Sequence, residues 1–322
     1  MTNPNKFLRI GLATLFLGVT FILIAVLMGH QSTPSLAQEG TEEATPEPED
    51  GGDSGDTAVP DPNSEDIVER GAYLVRVAGA CQDCHYGGGD FNAVYEDPLN
   101  IDLSGGFAFA YQPWGTVYAP NLTTLGEWTD EQIENAIRYG VRPDGAALLP
   151  PMPYELYAGM SDEDMAAVIA YLRSLEPVEN AIPEAELDGK TREDIRTVPE
   201  FDPEAEFPTP DFSDPLMRGT YLATHVSACL RCHGSLAEDG VSINPEGPAL
   251  GEIPQYTDFG EFTFPSLAQS ELSDWADEEI RTLIHDGIKP NGEPVFFMPF
   301  YAFANLTDSD IDALIAWIRS QP

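Results

Sequence analysis

The stretch ERGAYLVRVAGACQDCH, Glu69–His85, recurs as MRGTYLATHVSACLRCH at Met217–His233, 148 positions further on. Working outward, EWTDEQIENAIRYGVRPDG at Glu127–Gly145 matches DWADEEIRTLIHDGIKPNG at Asp274–Gly292. PPMPYELYAGMSDEDMAAVIAYLRSL then matches FFMPFYAFANLTDSDIDALIAWIRSQ at an offset of 146. Two units of about 110 residues follow, each long enough to close its own core, so this is a duplication and not a solenoid. Each unit reads as helical. Ile67–Ala78 and Leu216–Ala228 carry apolar residues at three-to-four spacing. Ser161 and Thr307 stand as N-caps before acidic first turns, and Gly140 and Gly287 suit C-terminal stops. No alternating strand pattern stands out, and the expectation is a mostly α fold with long loops.

All four cysteines of the 322-residue chain lie in Cys81-Gln82-Asp83-Cys84-His85 and Cys229-Leu230-Arg231-Cys232-His233. Two thiols three positions apart can each add across a haem vinyl group, and the adjoining histidine then reaches the iron from one face. The competing readings are weaker. A thioredoxin-like pair needs a βαβ pattern, a zinc site needs four ligands within reach, and a disulfide needs no histidine after both pairs. The expected cofactors are therefore two covalently attached c-type haems, with His85 and His233 as iron ligands.

The repeat also nominates sixth ligands. Only Met152 and Met298 are methionine in both copies, and both sit beside prolines in non-helical loops. Met160 and Met165 read as packing residues. His225 aligns with Val77 and His285 with Arg138, so neither is a repeated ligand. His30 reads as interfacial, beside an apolar run.

This combination resembles class I cytochrome c domains, in which a helix leads into CxxCH, a methionine loop follows and a terminal helix carries an aromatic. Gly71 and Tyr73 with Tyr171, and Gly219 and Tyr221 with Trp317, look like that family's crossing N- and C-terminal helices. The stretch from Gly115 to Leu175 is similar, more narrowly, to cytochrome subunits of membrane-bound bacterial alcohol and aldehyde dehydrogenases. The second copy departs from it where Ala119-Pro120-Asn121-Leu122-Thr123 becomes Phe264-Pro265-Ser266-Leu267-Ala268. The resemblance also implies a proline carbonyl that accepts a bond from the ligating histidine, for which Pro248 is the expected residue, with Pro98 in the first copy.

Composition sets the surroundings. There are 15 Lys+Arg against 55 Asp+Glu, a formal net charge of −40, which argues against nucleic acid as a partner and suggests basic docking surfaces on the redox proteins expected as partners, with solubility or a saline habitat as the alternative reading. An apolar run, Ile10–Met28, follows Lys6 and Arg9 and matches the ~30 Å hydrocarbon core when helical. It is expected to anchor the chain as a single transmembrane helix with the remainder outside the cytoplasm; a cleaved signal peptide ending near Ala37 is the alternative.

The expected organisation is an anchor or signal over 1–37, an acidic tether over 38–66, a first haem domain over 67–176, an acidic Pro-rich linker over 177–214 and a second haem domain over 215–322. The expected function is one-electron transfer by a non-catalytic carrier, respiratory or photosynthetic, or by a dehydrogenase subunit. A di-haem cytochrome c peroxidase is the enzymatic alternative.

Overall fold

The computed structural model describes residues 58–322 except 90, 112–114, 239–241 and 258–259. The apolar run 10–28 and His30 lie outside the described residues, as does most of the tether. Among the described residues no helix is long and apolar enough to cross a membrane.

The first copy opens with α1 (Ile67–Ala72), capped by Asp66, whose side chain accepts the Val68 amide. The helix runs on as a wider coil over Tyr73–Ala78, closed by an i→i+5 bond from Gly79 N to Leu74 O at 2.8 Å. Ala80 then takes a φ of +44°, which turns the chain sharply into Cys81 and α2 (Gln82–His85). Next come α3 (Phe91–Glu96), β1 (Ala108–Tyr111), β2 (Gly115–Tyr118) and α4 (Asp130–Tyr139). Thr129 and Gln132 form a reciprocal capping box on α4, and Gly140 ends it in the left-handed region. The short α5 (Tyr154–Tyr157) and the terminal α6 (Asp162–Ser174) complete this copy.

The segment between the copies contributes β3 (Glu186–Leu187), paired antiparallel to β2, and α7 (Arg192–Ile195). The second copy repeats the plan: α8 (Pro215–Tyr221), α9 (Leu230–His233), β4 (Pro254–Thr257), β5 (Gly260–Thr263), α10 (Gln269–Leu272), α11 (Asp277–Asp286), α12 (Phe300–Phe303) and α13 (Asp308–Arg319). Its wide coil and left-handed residue recur, with Ser227 N bonded to Leu222 O at 2.7 Å and Ala228 at φ +49°.

The fold is mostly helical, as expected, and two small antiparallel sheets, β1-β2-β3 and β4-β5, form where no alternating pattern stands out. Their strands are at most four residues long and are defined by pairing, which local pattern does not encode.

Within each copy the first and last helices cross at glycine, as expected. A Cβ on Gly71 would collide with the Ala167 carbonyl oxygen, and one on Gly219 with that of Ala313. Only glycine lets these backbones approach so closely.

Tyr73 and Tyr221 do not pair with their own copy's terminal helix. The Tyr73 hydroxyl donates to Asp310 Oδ2 at 2.5 Å, and the Tyr221 hydroxyl to Asp164 Oδ2 at 2.6 Å. Each tyrosine oxygen also accepts the amide of the opposite N-cap, Thr307 or Ser161. Arg218 pairs with Asp310 within the second copy, and Arg70 with Asp164 at 2.5 Å within the first. The two copies thus lock reciprocally through tyrosine, aspartate and arginine at equivalent positions. All described residues belong to one compact unit.

The acidic linker lies against the first copy. The Phe207 amide donates to Asp162 Oδ2 at 2.9 Å and the Phe207 carbonyl accepts the Asp162 amide at 2.8 Å, while the Arg138 guanidinium lies 4.3 Å from the Phe207 ring. Asn121 Nδ2 donates to Val178 O at 2.8 Å, and Thr123 Oγ1 accepts the Val178 amide at 2.9 Å. This accounts for the divergent loop noted above: Asn121 and Thr123 serve the linker, whereas in the second copy Ser266 caps the turn at Ala268 and Gln321 accepts the Ala249 amide.

Candidate haem sites

The wide coil and the left-handed alanine before each motif bring both cysteines and the histidine onto one short helical turn. Neither cysteine pair is a disulfide, and all four thiols are half-buried. Burial pushes Cys81 up to about 11 and Cys229 up to about 12, with Cys84 and Cys232 also raised. Thiols held protonated in this way make poor redox nucleophiles, which is inconsistent with a thioredoxin-like role. Conversion to thioethers leaves them with no charge to bury.

His85 Nδ1 lies 2.9 Å from Pro120 O, and His233 Nδ1 lies 2.8 Å from Pro265 O. A carbonyl can only accept, so Nδ1 carries the proton in both rings and Nε2 is left with its lone pair. Burial lowers both imidazoles' affinity for a second proton. A neutral ring with Nε2 free and Nδ1 held by a backbone carbonyl is the form that binds a metal and keeps its orientation. The residues present therefore fit a c-type haem.

The acceptors are Pro120 and Pro265, which corrects the expectation of Pro248 and Pro98. The Pro248 carbonyl instead accepts the Leu250 amide at 3.0 Å, and Pro98 lies in the turn after α3. Pro120 and Pro265 occupy matching places in the two copies, so the repeat contained this signal within the very loop that diverges around it.

Met152 and Met298 both lie in loops leading into short helices, α5 and α12, and both are half-buried. Met298 packs against the core. Met160 and Met165 are 4% and 1% exposed and belong to the core, as expected for packing residues. His285 is exposed beside Asp286, whereas His225 is half-buried with Nδ1 2.8 Å from Leu156 O of the other copy.

Each attachment turn reaches the other copy: Asp83 Oδ1 accepts the Tyr301 hydroxyl, and Arg231 Nε donates to Pro151 O at 3.2 Å. Asp83, half-buried beside the Tyr301 hydroxyl that donates to it, is pushed up to about 6 by loss of solvent.

Comparison with known proteins places a cytochrome c family model on residues 68–176. A model described as cytochrome c oxidase, cbb3-type, subunit III covers residues 215–318. The fructose dehydrogenase cytochrome subunit of Gluconobacter japonicus is 27% identical over 272 residues, covering 79% of this chain and 52% of the relative. The cytochrome c subunit of the quinone alcohol dehydrogenase of Komagataeibacter europaeus is 27% identical over 291 residues, 82% of this chain and 58% of the relative. A diheme cytochrome c-type protein of Cereibacter sphaeroides is 25% identical over 261 residues, 76% of this chain and 83% of the relative. The chain thus spans little more than half the length of the dehydrogenase subunits it matches.

Proposed function

The chain carries two cytochrome c domains with two covalently bound c-type haems, and on that premise we propose that it is a di-haem one-electron carrier serving as the cytochrome subunit of a dehydrogenase. The domains extend over 67–176 and 215–322, with the acidic linker of 177–214 bound to the first. Cys81 and Cys84, and Cys229 and Cys232, form the thioether links. His85 with Met152, and His233 with Met298, ligate the two irons.

Each bound haem supplies an iron that cycles between its ferrous and ferric states, with thioether ligation and burial favouring the ferrous state. The protein's part is to hold, orient and exclude. Pro120 and Pro265 fix the histidine rings through Nδ1, and both attachment turns, which would hold the haems, belong to one compact unit. The carbonyl-held neutral histidine, present in both copies, is the observation that carries this reading. A di-haem peroxidase is less favoured, because it needs one iron with a removable or absent distal ligand and both copies offer a methionine.

The partners are redox proteins whose basic surfaces meet the acidic exterior, and the apolar run 10–28 holds the chain at a membrane with the haem domains outside the cytoplasm. The names of the relatives support a dehydrogenase as electron donor.

The ligand assignment predicts that Met152→Ala and Met298→Ala each remove half of the methionine–iron charge-transfer absorption near the red edge of the visible spectrum. An unchanged spectrum in either variant would falsify the assignment for that haem.

A further inference from the structure

Asp83 and Arg231 occupy the same place in the two attachment motifs, immediately before the second cysteine and 148 positions apart. The two side chains have opposite chemistry, yet both reach into the other copy. Asp83 Oδ1 accepts the hydroxyl of Tyr301, which lies in α12, three residues after Met298. Arg231 Nε donates to Pro151 O at 3.2 Å, the residue next to Met152. At the offset of 146 that relates these loops, Tyr301 corresponds to Glu155. The contacts are therefore one crossed arrangement built twice, once from a carboxylate and a phenol, once from a guanidinium and a carbonyl.

The first of the two loops has a further hold. Arg196, from the linker, pairs with Glu155, donates to Met152 O at 3.2 Å and lies 4.4 Å from the Tyr154 ring. With Arg231 on Pro151, two guanidinium groups fix consecutive carbonyls at the methionine.

We infer that Asp83 and Arg231 are positioning residues acting in trans, so that each haem-attachment turn holds the methionine loop of the other haem. The inference rests on the reading that Met152 and Met298 ligate iron. Its physical basis is that a thioether is a weak ligand on a flexible side chain, so its approach depends on how firmly its loop is fixed. Each loop here is fixed to the element that already carries the opposite haem. A change at one attachment turn should consequently be felt at the other iron.

The test uses the reduced, full-chain holoprotein and the two strongly upfield-shifted methyl proton signals expected of iron-bound methionines. Met152→Ala and Met298→Ala each abolish one signal and so assign both. Arg231→Gln is then expected to shift or broaden the Met152 methyl while leaving the Met298 methyl in place, although Arg231 lies in the second motif. Asp83→Ala should do the converse. Arg231→Lys, which keeps the charge but loses the Nε donor, should displace the Met152 methyl less than Arg231→Gln does, and it provides the same readout if the glutamine variant fails to fold. Substitutions that move only their own copy's methyl, or neither, overturn the inference. If the methionine variants abolish no signal, the ligation reading fails and takes the inference with it, a pattern distinct from those outcomes.

Discussion

The His225 imidazole is half-buried over Gly159, 6.0 Å from the Tyr221 ring, with Nδ1 against the Leu156 carbonyl. Burial lowers its proton affinity below the ordinary value of ~6.5. Between the folded value and ~6.5 the unfolded chain holds a proton that the folded chain does not. Stability therefore rises with pH through that window and falls on acidification. His225→Gln should flatten the pH dependence of the melting temperature just below neutrality, measured against the parent so that other groups cancel. An unchanged slope would show that His225 carries none of it. At this scale the sequence was legible where chemistry repeats, in the two Cys-x-x-Cys pairs that point to two covalently bound haems. It was not legible for Pro120 and Pro265, because which carbonyl meets a histidine 35 or 32 positions away depends on how the intervening loop returns.

Among the elements, the helices were readable because their signals are local: a capping box at Thr129, caps at Ser161 and Thr307, left-handed glycines at 140 and 287. The glycine crossing of α8 with α13 was readable from Gly219 and Trp317, and it has a sharp consequence. Gly219→Ala forces a Cβ into the Ala313 carbonyl, so the helices must separate, and overpacking of this kind costs about 1–3 kcal/mol or more. The denaturation midpoint of this variant should fall accordingly; a midpoint equal to the parent's would mean that the crossing yields easily. The strands were not readable, since β3 exists only because the linker folds back along β2.

For the molecule as a whole, the decisive feature is that the two copies are not independent beads. Asp310 is 0% exposed and meets Tyr73 from the other copy as well as Arg218 from its own. Removing the carboxylate by Asp310→Ala leaves a half-buried guanidinium and a buried hydroxyl without it, a loss of about 3–5 kcal/mol by comparison with other broken buried pairs. Calorimetry of the parent holoprotein should show one transition for both halves, and the variant should lower it or split it in two. Two separate transitions in the parent would contradict the reciprocal lock.

What the sequence determined by itself was the duplication, the attachment of two haems and the helical plan of each copy, because these are written in contiguous residues and short spacings. What only the tertiary structure decided was which partners those residues take: tyrosines that bond the opposite copy, proline carbonyls that set the histidine tautomer, a linker laid against the first domain, and attachment turns that each contact the opposite copy's loop. Such contacts join positions from about 30 to more than 230 apart. Their selection depends on the closed geometry of both copies together, which no local pattern along the chain specifies.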